Sequence, residues 1–276
     1  MSENKIPKVI HYCWFSGDEK SPFILDCMKS WSEIMPDYQI RLWDANSFDF
    51  SSVPFVHEAF KARKWAFVAD YIRLYALYTE GGVYLDSDVK VFKSFSEFLD
   101  YDFFTSHELH PGNFTDTEKS KLDKNFRPKN ENDLVFGLNV QAAIMAAKKG
   151  NLYLKDCLEF YQDKHLIDEN NTLLCEEFII GPIISKIAEK YGYVYQDSEQ
   201  KLDNNMIIFK SDIFVGNSVF LSPKSYAIHL INGSWREKSK YSIFFSYVRN
   251  YYPRLFFLVD FNDRVMRNLR GLLKLN

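Results

Sequence analysis

Two carboxylates one residue apart, Asp86 and Asp88, close the run Gly81-Gly82-Val83-Tyr84-Leu85. Read as an extended strand, side chains alternate, so Tyr84, Asp86 and Asp88 share one face and Val83, Leu85 and Val89 the other. Carboxylates about 6–7 Å apart at a strand end suit one hard cation, with a second group reached through water or a ribose hydroxyl. The pair alone says little, because Asp-x-Asp arises by chance about once in a chain this long. It does recur, as Asp100-Tyr101-Asp102, with no helix or glycine break ahead of it, and that copy is assigned no role.

What distinguishes Asp86 and Asp88 lies upstream. Asp70 and Arg73 are three apart in a helical pattern, hence neighbours on one face, in register with Ala66 and Leu77. An acid and a base inside an apolar stretch cost desolvation unless they are paired or ligand-bound. Two readings follow: an ion pair that braces the helix, or side chains that meet a phosphate and sugar hydroxyls, where the planar guanidinium fork suits the phosphate. His229, in an apolar strand that runs into Asn232-Gly233-Ser234-Trp235, is either a metal ligand or a buried histidine satisfied by backbone. As a ligand, its imidazole would tilt the choice of cation from Mg2+ toward Mn2+.

The elements that must position these groups alternate. Lys8–Phe15 reads as a first strand closed by Ser16-Gly17-Asp18, residues 21–34 as a helix and Tyr38–Trp43 as a second strand. Residues 56–79 carry a long helical periodicity that Gly81 stops, and Val83–Phe92 reads as a third strand. Such strand–helix–strand order predicts an α/β fold with a mostly parallel, helix-covered sheet. Residues 108–133 are polar and poor in periodic apolars, the mark of a flexible loop or lid. Beyond it, Ala142–Lys148 has helical propensity, helices are expected over 151–165 and 174–191, and Tyr226–Leu230 is a short strand. No internal repeat is visible.

At 276 residues, 46% hydrophobic and 17% aromatic, the chain can bury a substantial core. A formal charge of −3 provides no basic field for nucleic acid. The charge is uneven: from Arg236 onward nine Lys/Arg face three Asp/Glu, about +6, so the preceding part carries about −9. That tail, with aromatic clusters among Arg249, Arg254, Arg264, Arg267 and Arg270, is either a surface for anionic membrane or a packing helix with a basic face. Cys13, Cys27, Cys157 and Cys175 lack metal-ligand spacing and read as buried free thiols. There is no signal-peptide apolar region and no run of 18 apolar residues, which leads to an expected cytoplasmic location and makes the sequons at Asn113, Asn170 and Asn232 chance matches.

Three segments in order resemble the DXD-motif sugar transferases of glycosyltransferase family 32, relatives of the large clostridial glucosylating toxins. They are Ile6-Pro7-Lys8-Val9-Ile10-His11-Tyr12-Cys13-Trp14-Phe15, then Ala69-Asp70-Tyr71-Ile72-Arg73, then Leu77-Tyr78-x-x-Gly81-Gly82-Val83-Tyr84-Leu85-Asp86-x-Asp88. A weaker match is His229-(x)4-Ser234-Trp235. The core of the resemblance spans roughly 5–95, with islands to about 236.

The resemblance implies a GT-A catalytic domain over 1–235, with helices on both faces of the sheet, and a helical extension over 236–276. It implies that Trp14, with Tyr12 beside it, lies against the nucleotide base. Asp70, Arg73 and Tyr84 would meet the donor, Asp86 ribose or metal, and Asp88 the metal directly. His229 or Ser234 would complete the metal shell, with Trp235 near the diphosphate. Asn139 resembles the family's Asn near the donor sugar, although a polar residue at a helix start explains it as well. Glu176, Glu177 and the Gly181-Pro182 turn fall where related chains carry acceptor-side elements.

The activity so implied is a Mn2+- or Mg2+-dependent transfer of a hexose, from UDP-galactose or UDP-glucose, to a glycan or lipid-linked acceptor with retention. It would be a bacterial polysaccharide or glycolipid enzyme, in the cytoplasm or peripheral on the inner membrane face. A haloacid-dehalogenase-type phosphatase also ends a strand in Asp-x-Asp, but that motif belongs on the first strand and leaves Asp70 and Arg73 unexplained. A non-catalytic sugar- or Ca2+-binding module would not need all three segments in this order.

Overall fold

The computed structural model describes residues 5–230. Strand and helix alternate from the start: β1 (Val9–Cys13), α1 (Pro22–Ile34), β2 (Gln39–Trp43), α2 (Pro54–Lys61), α3 (Trp65–Glu80), β3 (Gly82–Leu85) and β4 (Val89–Val91). There follow β5 (Phe103–Leu109), α4 (Asp116–Ser120), β6 (Leu138–Val140), β7 (Ile144–Ala147), α5 (Leu152–Tyr161) and α6 (Ile180–Ala188). The described part ends with β8 (Gln200–Leu202), β9 (Met206–Phe209), β10 (Phe214–Val215) and β11 (Ala227–His229).

The main sheet runs β2-β1-β3-β7-β5-β9-β8, with β6 pairing to β5. β1 is parallel to β2 and β3, while β7 is antiparallel to both β3 and β5, which returns β5 to the direction of β3. β9 follows β5, while β8 and β6 reverse, so five of the eight strands run one way and the sheet is mostly parallel, as the GT-A resemblance implies. One face packs α2, α3, α5 and α6 through Phe55, Leu74, Tyr153 and Ile184. The other packs α1, through Trp31, and a small second sheet ordered β10-β11-β4. Central strands so covered bury both faces, and every residue of β3 and β7 is buried.

Five sequence expectations change. The helix expected over 56–79 is two, because Arg63 takes a left-handed φ of 54° between α2 and α3. The strand expected over Val83–Phe92 is also two. It breaks at a turn in which the Val89 amide donates to the Asp86 carbonyl at 3.0 Å, and β3 and β4 then enter different sheets. Ala142–Lys148 is not helical, since β7 fills the slot between β3 and β5 and tertiary pairing overrides alanine's propensity. The helix expected from 174 begins only at Ile180, and that from 151 ends at Tyr161. Within 108–133 the chain carries the short α4, capped by Thr115, and a bridge between Leu122 and Pro128.

The glycine break does what the pattern predicted, and more. Gly81, at φ 71°, ends α3 with its amide on the Leu77 carbonyl. Gly82, at φ 118°, lies so close to β1 that a Cβ would come within 2.7 Å of the Val9 carbonyl and 3.0 Å of His11 Nε2. His11 holds this approach. Its Nδ1 accepts from Trp43 Nε1 at 3.1 Å, so its Nε2 carries the proton and donates to the Gly81 carbonyl at 2.8 Å. All four cysteines are free, with Cys27 and Cys157 buried and Cys13 and Cys175 only half-buried.

Candidate active site

Three elements bring the candidate residues together. α3 supplies Asp70 and Arg73, the turn between β3 and β4 supplies Asp86 and Asp88, and β11 supplies His229. Antiparallel pairing of β11 with β4 sets His229 opposite Val89, the residue after Asp88. One ligand atom from each of Asp86, Asp88 and His229 lies within 4.8 Å of the others. His229 Nε2 is 3.3 Å from Asp88 Oδ1 and 3.9 Å from Asp86 Oδ2.

The carboxylates converge through a turn and a strand pairing, not through alternation along one strand. The expectation that Tyr84, Asp86 and Asp88 line one face of a continuous strand is therefore corrected. Two carboxylates and an imidazole form a donor set that fits a Mn2+-like cation. Electrostatics support the fit. Burial pulls His229 down, but Asp88, Asp86 and Glu108 outweigh it and hold its pKa up at about 9, so the pocket selects positive charge.

Arg73 lies behind the cluster and is 5% exposed. Its Nη2 donates to Asp70 Oδ1 at 2.9 Å, its Nη1 to the Ala142 carbonyl at 2.8 Å and its Nε to the Ala69 carbonyl at 3.2 Å. Longer contacts of 3.5 Å reach both oxygens of Asp86. The fork that the sequence offered to a phosphate is occupied by protein groups, and it orients Asp86. Burial raises Asp70 to about 7 although Arg73 pulls it down. Arg73 is raised, because Asp86, Tyr84 and Asp70 together overcome its own burial. The Tyr84 hydroxyl donates to Asp86 Oδ1 at 2.9 Å, and its ring lies 4.8 Å from the Arg73 guanidinium carbon. Asp70, Arg73 and Tyr84 thus form a buried bracket around Asp86, which joins both readings of the Asp70–Arg73 pair: it braces the helix and serves the site.

Trp14 is half-buried beyond the end of β1, its indole N–H donating to the Asp18 carbonyl and Lys20 Nζ standing 5.0 Å from its ring. Tyr12 is in the core, edge-on to Trp31. Asn139 lies on β6, not at a helix start, and its amide donates to the Val135 carbonyl. Gly181 of α6 packs against it, and a Cβ there would come within 3.4 Å of the Asn139 Cβ. Glu176 and Glu177 are exposed in a turn before α6. Asp100 and Asp102 pair with Lys5 and Lys148, in keeping with no role for that second Asp-x-Asp. Ser234, Trp235 and the basic tail lie outside the described residues.

Sequence reasoning missed Glu108, His110 and Gln141. It began a loop at 108, whereas β5 runs to Leu109 and carries Glu108 to the carboxyl end of the sheet. The usable signal was position, because ligands of α/β sheets bind beyond the carboxyl ends of the strands.

Comparison with known proteins fits this geometry. A family model described as "Glycosyltransferase sugar-binding region containing DXD motif" matches residues 24–105, the stretch that contains Asp70, Arg73, Asp86 and Asp88. This chain carries a DXD-motif glycosyltransferase region. Inositol phosphoceramide mannosyltransferase 3 of Schizosaccharomyces pombe is 30% identical over 100 residues, 35% of this chain. The match spans only 28% of that enzyme's length. Among solved structures, the PaToxG glycosyltransferase is 16% identical, covering 68% of this chain and 70% of its own at a TM-score of 0.44. Mouse xyloside xylosyltransferase 1 is 8% identical, covering 82% and 98% at a TM-score of 0.45. His229 lies outside the matched DXD region, and the fold delivers it to the motif.

Proposed function

We propose that this chain is a metal-dependent, retaining glycosyltransferase that moves a hexose from a nucleotide-sugar to a glycan or lipid-linked acceptor. The carrying observation is the convergence of Asp86, Asp88 and His229 within 4.8 Å inside and beside a DXD sugar-transferase region. Departure of a nucleoside diphosphate builds negative charge on its β-phosphate, and a cation held by these three residues would neutralise that charge. The chain's own residues keep the ligands in place. Tyr84 and Arg73 fix the Asp86 carboxylate, and Arg73 is fixed in turn by Asp70 and the Ala142 carbonyl.

The donor we favour is UDP-galactose or UDP-glucose, because Trp14 ahead of Asp70 and Arg73 resembles the pattern of UDP-sugar users. Mn2+ is favoured over Mg2+ because one ligand is an imidazole. Calorimetry of UDP and GDP with and without Mn2+, followed by hydrolysis of a nucleotide-sugar panel, tests the reading. Mn2+-dependent UDP binding and UDP-hexose hydrolysis are expected. Absence of any nucleotide preference would favour the phosphatase alternative.

A further inference from the structure

Glu108 and His110 are neither ligands of the cation cluster nor part of the bracket around Asp86. β5 and β6 pair so that Glu108 stands opposite Asn139, at the carboxyl end of the sheet. Glu108 Oε1 lies 3.2 Å from His110 Nε2, and its charge acts on both His229 and Arg73. Gly216, which packs against Glu108, follows Val215, and Val215 pairs with Ile228 next to His229, so Glu108 lies toward the Asp86–Asp88–His229 cluster.

Gln141 stands beside it, fully buried. Its Nε2 donates to the Phe214 carbonyl at 3.0 Å, while its Oε1 has no partner among the described residues. Buried amide oxygens are seldom left unpaired, so such an atom marks a place where a ligand or water belongs. The backbone opposite carries no side chain. A Cβ at Gly216 would come within 2.9 Å of Glu108 Cγ, 3.0 Å of Gln141 Nε2 and 3.1 Å of Glu108 Oε1. Glu108, Gln141 and Gly216 thus meet at one point.

A carboxylate offers about four acceptor positions, and His110 occupies one. The hydrogen bond and charge of Glu108 raise the pKa of His110, and His110 in return lowers that of Glu108 against the effect of burial. An ionised carboxylate repels phosphate and accepts strong, charge-assisted hydrogen bonds from hydroxyl groups. We propose that Glu108, clamped by His110 and flanked by Gln141 and Gly216, is a subsite that grips a sugar hydroxyl beside the cation cluster. This rests on the glycosyltransferase reading and goes beyond it, naming a group that holds sugar rather than diphosphate.

The hydroxyl belongs either to the transferred hexose or to the acceptor, and one experiment separates them. Full-length wild type and Glu108→Gln are titrated with UDP and with the hydrolysable UDP-hexose in Mn2+, then assayed for hydrolysis and for transfer to saccharide acceptors. In either case UDP affinity should stay within about twofold, since no diphosphate contact is removed. If the hexose is gripped, loss of a charge-assisted bond should weaken UDP-hexose binding at least about tenfold. If the acceptor is gripped, donor binding and hydrolysis should persist while transfer falls by that factor. His110→Asn, at a partly exposed position, should show the same pattern less strongly, and it serves as the second probe should Glu108→Gln not fold. Unchanged binding, hydrolysis and transfer in a folded variant overturns the subsite alone. A wild type that binds no nucleotide in Mn2+ overturns the glycosyltransferase reading itself.

Discussion

His229 Nε2 lies 3.3 Å from Asp88 Oδ1, although the two residues sit in distant parts of the chain and in different structural contexts. The contact is a matter of register: β11 and β4 run antiparallel with His229 opposite Val89, so a slip of one residue would turn the imidazole to the other face. The cation cluster therefore depends on a three-stranded sheet that lies apart from the large one.

Removing a ligand should remove the cation. Asp88→Ala is expected to abolish the rise in melting temperature that Mn2+ gives wild type, because a cation stabilises only the state that binds it. Its Mn2+-dependent donor hydrolysis should fall at least about a hundredfold, as loss of a metal that stabilises the leaving group costs several kcal/mol. Wild type treated with a chelator should behave like the variant. Undiminished Mn2+-dependent hydrolysis by Asp88→Ala would refute the site assignment.

Arg73 should matter to the fold before it matters to chemistry. Arg73→Met leaves Asp70, itself 8% exposed, without its counter-charge. Breaking such a buried pair costs about 3–5 kcal/mol. Adding Asp70→Leu should return part of that stability, since the second change removes the stranded carboxylate. Urea denaturation of the single and double variants measures both steps, and additive losses would contradict the pairing.

Gly82 should tolerate no side chain. Gly82→Ala places a Cβ 2.7 Å from the Val9 carbonyl, at a φ of 118° that L residues rarely adopt. A loss of about 1–3 kcal/mol from the backbone conformation alone is expected, before the clash is counted. Thermal melting tests it. Gly112, with open space around its Cβ direction and no positive φ, serves as the mild control.

Acid should weaken the fold through buried histidines. Burial lowers His11 and His107 to about 4, against about 6.5 in an unfolded chain. Between pH 6.5 and 4 the unfolded state therefore binds more protons at these sites, and their contribution to stability is lost as pH falls. Asp70, raised to about 7, binds a proton in the folded state over the same window and offsets one of the two. His107→Gln should flatten the dependence of denaturation free energy between pH 6.5 and 5. An unchanged slope would show that His107 is not held neutral.

Local chemistry was legible in the sequence alone. The apolar run of β3, the glycine that stops α3, the shared helix face of Asp70 and Arg73, and the oxygen-rich character of Asp86 and Asp88 all follow from residue type and short spacing. These features lie within one or two turns or strands, where backbone periodicity dictates which side chains are neighbours. Tertiary structure decided the rest. It cut the expected strand at Asp86 and sent β4 to a second sheet, made a strand of alanine-rich β7, and filled the Arg73 fork with Asp70, Asp86 and the Ala142 carbonyl. It also brought His229 to the carboxylates. Each of these depends on pairing between segments far apart in the chain, and period and propensity carry no record of which distant strand will lie alongside.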